Sequence, residues 1–370
     1  MIDRIYVAAT SQHVGKTTST LGLIAGIRQH GLKVGYCKPV GQEFVDLGDL
    51  KADKDALLFS KVMDFELSSD VHSPVIVCRG VTTAYLDNPE AFDFHDRIMR
   101  ASSILHKLND VVVYEGTGHP GVGSVIDLSN AQVAKMLNAG VVMVIPGGIG
   151  NTIDELNANL ALFREHKVPI IGVIVNKVIR KKQDKVRHYI GKKLDQMGIP
   201  LLGILPYDKS LANPIMATVC HAVNGKVLVN GYNLDNKIEK IVSGALAVKE
   251  EIQSLKDILL VSNFKRVDEA VHRIEKAAQE QNLKDSPISG IVLHGEGVFE
   301  SSIVDHFDCK SYLMEHEIPV IATSLDTYGS AVKISHIEVK INTRTPWKAQ
   351  RAIEMIRDYV DFNPIVKGSL

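Results

Sequence analysis

Short apolar runs alternate with longer segments of helical period along the first half of the chain. Six runs are predicted to be strands: "IYVAA", "KVGYC", "VVVY", "VVMVI", "IIGVIV" and "LLGIL". Their continuous Val and Ile suit parallel strands that are covered on both faces. Between two of them, Leu156, Leu160 and Phe163 fall on one helical face. This alternation predicts an α/β fold with a doubly wound, mostly parallel sheet and a ligand site at the carboxyl ends of its strands.

The pattern changes after Pro206. Residues 207–257 read as a helix, a short strand segment and another helix, after which "ILLV", "GIVLH" and "PVIA" predict a second, smaller α/β series. A last helix carries Ala349, Ile353, Ile356 and Val360 on one face, which we expect to pack against that second sheet. The sequence therefore predicts two domains, residues 1–206 and 207–370.

Charge and composition limit the classes of partner. With 42 basic and 43 acidic side chains the formal net charge is −1, which gives no overall attraction to nucleic acid or to an anionic membrane. The one dense basic run, residues 180–193, is predicted to be a solvated helix face. Four scattered cysteines read as reduced thiols, and no apolar run approaches the roughly 18 residues of a bilayer span. We expect a soluble, cytoplasmic protein with no nucleic-acid or membrane partner.

The stretch "VAATSQHVGKTTSTLGL", residues 7–23, predicts a strand, a tight loop ending in Gly-Lys-Thr, and a helix. Loop amides and a helix N-terminus bind phosphate in this arrangement, where Lys16 would reach the terminal phosphates and Thr17 would be a hydroxyl ligand of Mg²⁺. The usual spacing has a glycine at the position of Thr10. His13 is predicted to be a loop residue that contacts substrate or a partner subunit, or is simply exposed. The predicted contacts in this loop are Thr10, His13, Val14, Gly15, Lys16, Thr17 and Thr18.

Two further strand ends carry polar residues. In "DVVVYEGTGH", residues 110–119, Glu115 ends an apolar strand where a second metal-orienting carboxylate belongs, and the glycines after it allow close backbone approach to a ligand. The alternative is a strand end followed by a flexible turn. In "IIGVIVNKV" the pair Asn176-Lys177 is followed by Ile179, where the guanine-specific motif Asn-Lys-x-Asp has its base-reading carboxylate. Adenine is therefore favoured over guanine.

Residues 5 to about 207 resemble the dethiobiotin synthetase branch of the P-loop proteins, which includes the cobyrinic acid amide synthetases. That family's longer loop, Gly-x-x-x-x-x-Gly-Lys-Thr, corresponds to residues 9–17, with Ala9 in place of the first glycine. The other matching motifs are Lys38-Pro39-Val40, Asp55 in "KDALLF", Glu115-Gly116, Asn176, and Gly203 to Pro206.

The resemblance implies ATP and Mg²⁺ as cofactors and a homodimer as the assembly. It implies that Thr17, Asp55 and Glu115 bind the metal, and that Asn176 and Pro206 lie at the adenine. Lys16, Lys38 and Glu115 are the predicted catalytic residues, with Lys38 facing a small acid bound under residues 116–124. Gln42 stands where the synthetase has a small serine, so diaminopelargonate carboxylation itself is not expected.

The second half resembles a DRTGG domain, a small α/β module that follows a dethiobiotin-synthetase-like domain in some long phosphotransacetylases. The matching segments include "MATVCHAVNGKVLVNG" and "IPVIATSLDTYGSAVKI", although the letters of the module's name do not occur. The predicted pocket-lining residues here are His294, Glu296, Asp326, Thr327 and Tyr328, for which ordinary loop and capping roles are the alternative.

Two functions from different classes remain open. One is an ATPase or ATP-dependent synthetase that acts on a small acid. The other is a regulatory protein that senses ATP or a metabolite and controls a partner metabolic enzyme such as a phosphotransacetylase. A partitioning-type ATPase is disfavoured because Thr10, Ser11 and Gln12 occupy the part of the loop where those proteins carry an additional lysine.

Overall fold

The computed structural model describes residues 2–46, 48, 51–244, 255–295 and 300–367. The chain divides into two compact units. Unit 1 comprises Met1–Asp208 together with Ile341–Leu370, and unit 2 comprises Lys209–Lys340. Among the helices of the described residues, none is both long enough and apolar enough to cross a bilayer.

A six-stranded parallel sheet forms the centre of unit 1. The strands of this unit are β1 (Arg4–Ala9), β2 (Val34–Cys37), β3 (Val40–Gly41), β4 (Phe44–Asp46), β5 (Lys51–Asp53), β6 (Val75–Ile76), β7 (Val111–Glu115), β8 (Gly140–Pro146), β9 (Ile170–Val178) and β10 (Leu201–Pro206). The sheet order is β10-β9-β8-β1-β7-β2, and all pairs are parallel. The six strands predicted from the apolar runs are these six, and the predicted fold class is confirmed.

Helices cover both faces of this sheet. They are α1 (Lys16–Gln29), α2 (Lys54–Met63), α3 (Ser69–His72), α4 (Val81–Asp87), α5 (Phe94–Leu108), α6 (Asn130–Met136), α7 (Gly150–Glu165) and α8 (Gln183–Gln196). Tyr6 and Ala8 of β1 face a core that they share with α5, α7 and α8. Because successive strand side chains alternate, Ile5 points to the opposite face, where it meets Ile27 of α1.

The order of strands reverses at β1. From β1 the chain moves to β2 and then fills the position between them with β7, whereas β8, β9 and β10 extend the sheet on the other side of β1. In a doubly wound sheet, the crevice at the carboxyl ends of the strands on either side of such a reversal is the expected ligand site. The loop after β1 and the residues after β7 therefore meet at this crevice.

Unit 2 contains a smaller sheet. Its elements are α9 (Lys209–Ala212), α10 (Met216–Ala222), β11 (Lys226–Val229), β12 (Lys240–Ser243), β13 (Ile258–Asn263), α11 (Val267–Glu280), β14 (Ile288–His294), α12 (Lys310–Glu315), β15 (Val320–Thr323) and α13 (Thr327–Ser335). The order is β11-β15-β14-β13-β12, with β11 antiparallel to β15 and the other pairs parallel. The sequence pattern predicts the strands β13, β14 and β15 but a helix in the region of β12. Residues 245–254 lie outside the described part of the chain.

The last two helices, α14 (Pro346–Tyr359) and α15 (Asn363–Val366), belong to unit 1. The prediction that the last helix packs on the second sheet is wrong, because α14 packs along α1. A Cβ added at Gly22 of α1 would lie 2.2 Å from Cβ of Ile356, and one at Gly26 would lie 2.1 Å from Cζ of Phe362. The apolar stripe of α14 predicted that one face is buried, but a stripe does not specify which element covers it.

The segment after α14 also contacts the outer edge of the unit 1 sheet. Val360 forms an antiparallel bridge with Gly203 of β10, and the amide of Asp361 donates to the carbonyl oxygen of Leu202 at 2.7 Å. Arg351 of α14 pairs with Asp208, the last residue before unit 2, at 2.7 Å. The predicted boundary of the second domain, 207–370, therefore differs from unit 2, which ends at Lys340.

Candidate nucleotide-binding site

The loop between β1 and α1 has a conformation that only glycine fits at its end. Gly15 precedes α1 with φ 108°, in the left-handed region, and a Cβ there would lie 2.1 Å from Nδ2 of Asn176. Ala9, which replaces the family's first glycine, is instead the last residue of β1 and is completely buried. Because it continues an extended strand, alanine is accommodated there without strain.

Lys16 points into the crevice beside the residues that follow β7. Its side chain is largely buried, and Nζ donates to the carbonyl oxygen of Gly118 at 2.8 Å and to that of Ser11 at 3.3 Å. The amides at the start of α1 and this ammonium group together form a positive end to the helix. An anion at this place would meet both.

Four polar side chains from different elements meet next to Lys16. The hydroxyl of Thr17 donates to Oε1 of Glu115 at 2.9 Å, and Nζ of Lys38 lies 3.8 Å from the same oxygen. Lys38 also forms an ion pair with Asp55, whose helix α2 is capped by the carboxylate of Asp53. The predicted metal ligands Thr17, Asp55 and Glu115 and the predicted catalytic Lys38 are thus brought together.

Burial changes the proton affinities of this cluster. Burial raises the pKa of the Glu115 carboxyl to about 7, although Lys38 opposes the shift. Burial also raises the pKa of Asp53 to about 6. Burial lowers the pKa of Lys38, but Asp55 and Glu115 raise it by more, so this amine is held in its charged form. The buried ammonium of Lys38 therefore offsets part of the negative charge of the surrounding carboxylates.

The donors of this cluster suit Mg²⁺ better than a softer metal. They are one hydroxyl and two carboxylates, all hard oxygen ligands, and the described residues contain no group of three or more His, Cys, Asp or Glu side chains that could hold a metal alone. Mg²⁺ commonly binds one or two carboxylates and completes its shell with phosphate and water. Thr10 adds a buried hydroxyl oxygen with no hydrogen-bond partner among the described residues, as expected of a group that faces a polar ligand. The residues present fit a metal-bound phosphate.

Asn130, at the start of α6, was missed by the sequence analysis. Its side chain is buried; Oδ1 accepts from the hydroxyl of Tyr6 at 2.7 Å and from the amide of Thr117 at 3.0 Å. Its Nδ2 donates to the carbonyl oxygens of Thr117 and His119 at 2.7 and 2.6 Å. Asn130 thereby fixes the backbone that presents the Gly118 carbonyl to Lys16. The capping box of Ser129 and Gln132 marks the helix start in the sequence, but nothing in the sequence connects it to the segment after β7.

The residues predicted to lie at the base occupy the ends of β9 and β10. Asn176 is buried, and its Nδ2 donates to the carbonyl oxygen of Val14 at 2.8 Å. Pro206 ends β10 and pairs with Val178 of β9. In the loop, Val14 is buried and His13 is exposed with φ 58°, while Thr18 is half-buried in the first turn of α1.

The predicted pocket residues of unit 2 have ordinary structural partners. His294 Nε2 lies 2.7 Å from the hydroxyl of Thr327, and Asp326 caps α13 by accepting from the amide of Gly329. Tyr328 is 77% exposed, so it lines no enclosed pocket. Glu296 lies outside the described residues.

Residues 3–215 match the family AAA_26, described as an AAA domain. The chain belongs to this family. The AAA_26 match spans the P-loop, Lys38, Asp55, Glu115 and Asn176, and it ends just beyond β10. The family match thus covers nearly all of the first segment of unit 1, which carries every residue predicted for the nucleotide site.

Beyond the AAA_26 match, the chain is similar to longer proteins. It is 23% identical to a phosphate acetyltransferase of Pseudomonas aeruginosa over 371 residues, covering 96% of this chain and 51% of that protein. It is 26% identical to a protein named "Probable cobyric acid synthase" of Methanocaldococcus jannaschii, covering 58% of this chain and 47% of that protein. The chain spans about half the length of these relatives. Among solved structures, the cobyrinic acid a,c-diamide synthase of Mycobacterium smegmatis is 15% identical, with a TM-score of 0.37 and coverage of 56% of this chain and 87% of that one.

Proposed function

We propose that this protein binds ATP with Mg²⁺ and transfers the γ-phosphoryl group to water or to a small acid, as an ATPase or ATP-dependent synthetase. The hydrogen bond between Thr17 and Glu115, beside Lys38 and Asp55 at the N-terminus of α1, is the observation that carries the proposal. A hydroxyl, two carboxylates and two lysines around a helix N-terminus are the groups that phosphoryl transfer requires.

Each residue has a definite role in this proposal. Lys16 would leave the carbonyl oxygen of Gly118 and contact the terminal phosphates, where its charge stabilises the migrating phosphoryl group. Thr17, Asp55 and Glu115 would hold Mg²⁺, which when bound neutralises charge on the phosphate oxygens. Lys38, released from Asp55, would orient the acidic acceptor under residues 116–124.

Release of ADP from Mg-ATP tests the proposal, because transfer to water and transfer to an acid both leave ADP. The purified protein is assayed alone and with a panel of small carboxylic acids, together with Lys16→Ala and with Lys181→Ala as a matched control on the exposed basic run. We expect release that Lys16→Ala lowers by about 100-fold or more and that Lys181→Ala leaves unchanged. Equal release by all three proteins would mean that the activity does not come from this site.

A second candidate is a sensor whose ATP binding controls a metabolic enzyme. It is supported by the relative named phosphate acetyltransferase, because the similarity extends over nearly all of this chain, including unit 2. Unit 2 would then be the DRTGG-like regulatory module. ATP binding without phosphate release, together with retention of an acetyl-transferring enzyme on immobilised protein in the presence of ATP, is the expected result. Binding that ATP does not change would contradict it.

We further propose that the protein is cytoplasmic and forms a homo-oligomer. The oligomer is supported by the resemblance to dethiobiotin synthetases, and the location by the free cysteines, one of which, Cys37, is buried. Light scattering coupled to gel filtration measures the assembly directly. A mass of one chain at micromolar concentration, with and without Mg-ATP, would contradict the oligomer.

A further inference from the structure

We infer that the proposed nucleotide site discriminates little among nucleobases. The inference rests on the proposed nucleotide binding and departs from the expectation that Asn176 recognises adenine. It is carried by the side chains and amides at the ends of β9 and β10, whose hydrogen bonds are largely made within the protein.

The side-chain amide of Asn176 is committed to the phosphate loop. Nδ2 donates to the carbonyl oxygen of Val14 at 2.8 Å, and Oδ1 accepts from the amide of Lys177 at 2.8 Å. The side chain is only 4% exposed, so its orientation is set by these two bonds. One amide hydrogen of Nδ2 is left over, and it does not by itself distinguish the bases, because every base carries an acceptor, such as N7 of the purines or O2 of the pyrimidines.

Lys177 holds the next carbonyl of the same loop. Its Nζ donates to the carbonyl oxygen of His13 at 2.6 Å, and its own φ of 59° is in the left-handed region that non-glycine residues seldom adopt. In a trans peptide the C=O and the following N–H point in opposite directions. Drawing the carbonyls of His13 and Val14 towards β9 therefore turns the amides of Val14 and Gly15 away from it. Asn176 and Lys177 are thus positioning residues for the loop.

Among the described residues that follow Asn176 and Lys177 at this end of the sheet, Ile179 and Pro206 present no hydrogen-bonding side chain to the edge of a base. Ile179 replaces the carboxylate that reads guanine in Asn-Lys-x-Asp, and Pro206 has no amide hydrogen. The amide of Tyr207 donates to the carbonyl oxygen of Val178 at 2.7 Å. The register of β9 and β10 pairs Pro206 with Val178, which brings Ile179 and Tyr207, 51% and 47% exposed, to neighbouring positions. The ring of Tyr207 would stack on any base because every base has a π face, and Ile179 would add apolar contact that is equally independent of the base.

Competition binding with the full chain tests this inference. Dissociation constants for the Mg²⁺ complexes of ATP, GTP, CTP and UTP are measured against one fluorescent nucleotide. We expect the four values to lie within about tenfold of one another. A preference above about tenfold for one base would overturn the inference and leave the proposed function standing. Failure of all four to bind would overturn both.

Two variants separate positioning from base recognition. Asn176→Ala is expected to weaken all four triphosphates by the same factor, about tenfold or more, because it removes the support of Val14. If it weakened ATP alone, Asn176 would be a base-reading residue and the inference would be wrong. Ile179→Asp supplies the missing carboxylate and is expected to shift the preference about tenfold towards GTP, whereas the uncharged Ile179→Asn should not. If Ile179→Asp left the ratio of ATP to GTP affinity unchanged, the base would lie elsewhere and the inference, which rests on the groups around Ile179, would be wrong.

Discussion

The ammonium group of Lys38 lies 3.8 Å from Oε1 of Glu115, and both side chains are almost completely buried. The same ammonium pairs with Asp55. Removing one member of a buried ion pair leaves an uncompensated charge, which is costlier than the loss of a surface pair. We therefore expect this cluster to contribute strongly to the free energy of unfolding of unit 1 and to the change in that free energy when Mg²⁺ binds.

Replacing Lys38 with methionine should lower the free energy of unfolding of the metal-free protein by about 3 to 5 kcal/mol. Mg²⁺ with ATP should restore part of this loss because it supplies positive charge to Glu115 and Asp55. Lys54→Met is the matched control: its exposed pair with Glu43, at 3.6 Å, should matter by less than about 1 kcal/mol. Urea unfolding in EDTA and in Mg-ATP measures both. Equal, small losses in the two variants would contradict the buried ion cluster.

The raised pKa of Glu115, about 7 because of burial, predicts a pH dependence of stability. Between the ordinary value of 4.5 and about 7, the folded protein binds more protons at this group than the unfolded chain does. The unfolding free energy should therefore fall as pH rises through this window, by at most about 1.4 kcal/mol per pH unit. Glu115→Gln should remove that slope.

Unfolding of both proteins in EDTA at pH 5, 6 and 7 provides the measurement. Asp53, whose pKa burial raises to about 6, is present in both and cancels in the difference. Parallel stability curves for wild type and Glu115→Gln would show that Glu115 ionises normally.

Asn130→Ala should destabilise the protein by about 3 kcal/mol, because the hydroxyl of Tyr6 and the backbone of Thr117 and His119 lose buried partners. Asn151→Ala is the control, since the side chain of that asparagine donates to Glu155 on an exposed helix face. Thermal unfolding compares them. If both variants unfolded at the same temperature as the wild type, contacts other than those of Asn130 would hold the segment after Glu115.

Gly26 and Phe362 should show strong coupling. In the wild type, Gly26→Ala forces a Cβ against the Phe362 ring and should cost about 1 to 3 kcal/mol. In a Phe362→Ala background the ring is gone, and the same change should stabilise α1 by about 0.5 to 1 kcal/mol through helix propensity. The double-mutant cycle is measured by chemical unfolding. If Gly26→Ala changed the free energy of unfolding in the same direction in both backgrounds, the Phe362 ring would simply rotate out of the way of the added Cβ.

Unit 1 should fold without unit 2 only if both of its segments are kept. A chain that joins Asp208 to Ile341 through a short flexible linker should melt cooperatively, because α14 still covers α1 and Arg351 still meets Asp208. A chain that ends at Asp208 should aggregate, since the apolar surface of α1 is uncovered. Circular dichroism and sedimentation distinguish the two. If both chains melted with equal cooperativity, α14 would not be required for the folding of unit 1.

Much of unit 1 can be predicted from the sequence because its strands and its phosphate loop have local sequence patterns. Six Val- and Ile-rich runs become the six strands, and Lys16, Thr17 and Glu115 meet because parallel strands end at one edge. Asn130 escapes prediction because its partners lie about 120 residues away or on backbone atoms that no pattern identifies. The partner of α14 could not be predicted either, because no local pattern connects Gly22 and Gly26 of α1 with Ile356 and Phe362, which lie against them.

The bridge between Gly203 and Val360 also limits how two copies of the chain can associate. An uncovered edge strand offers unpaired amides and carbonyls to any second sheet. Along β10 the carbonyl of Leu202 is already taken by Asp361, and a Cβ at Gly203 would lie 2.4 Å from the carbonyl oxygen of Tyr359. A dimer that continued the sheet from one copy into the next across β10 would first have to displace Val360 and Asp361 of the same chain from this edge.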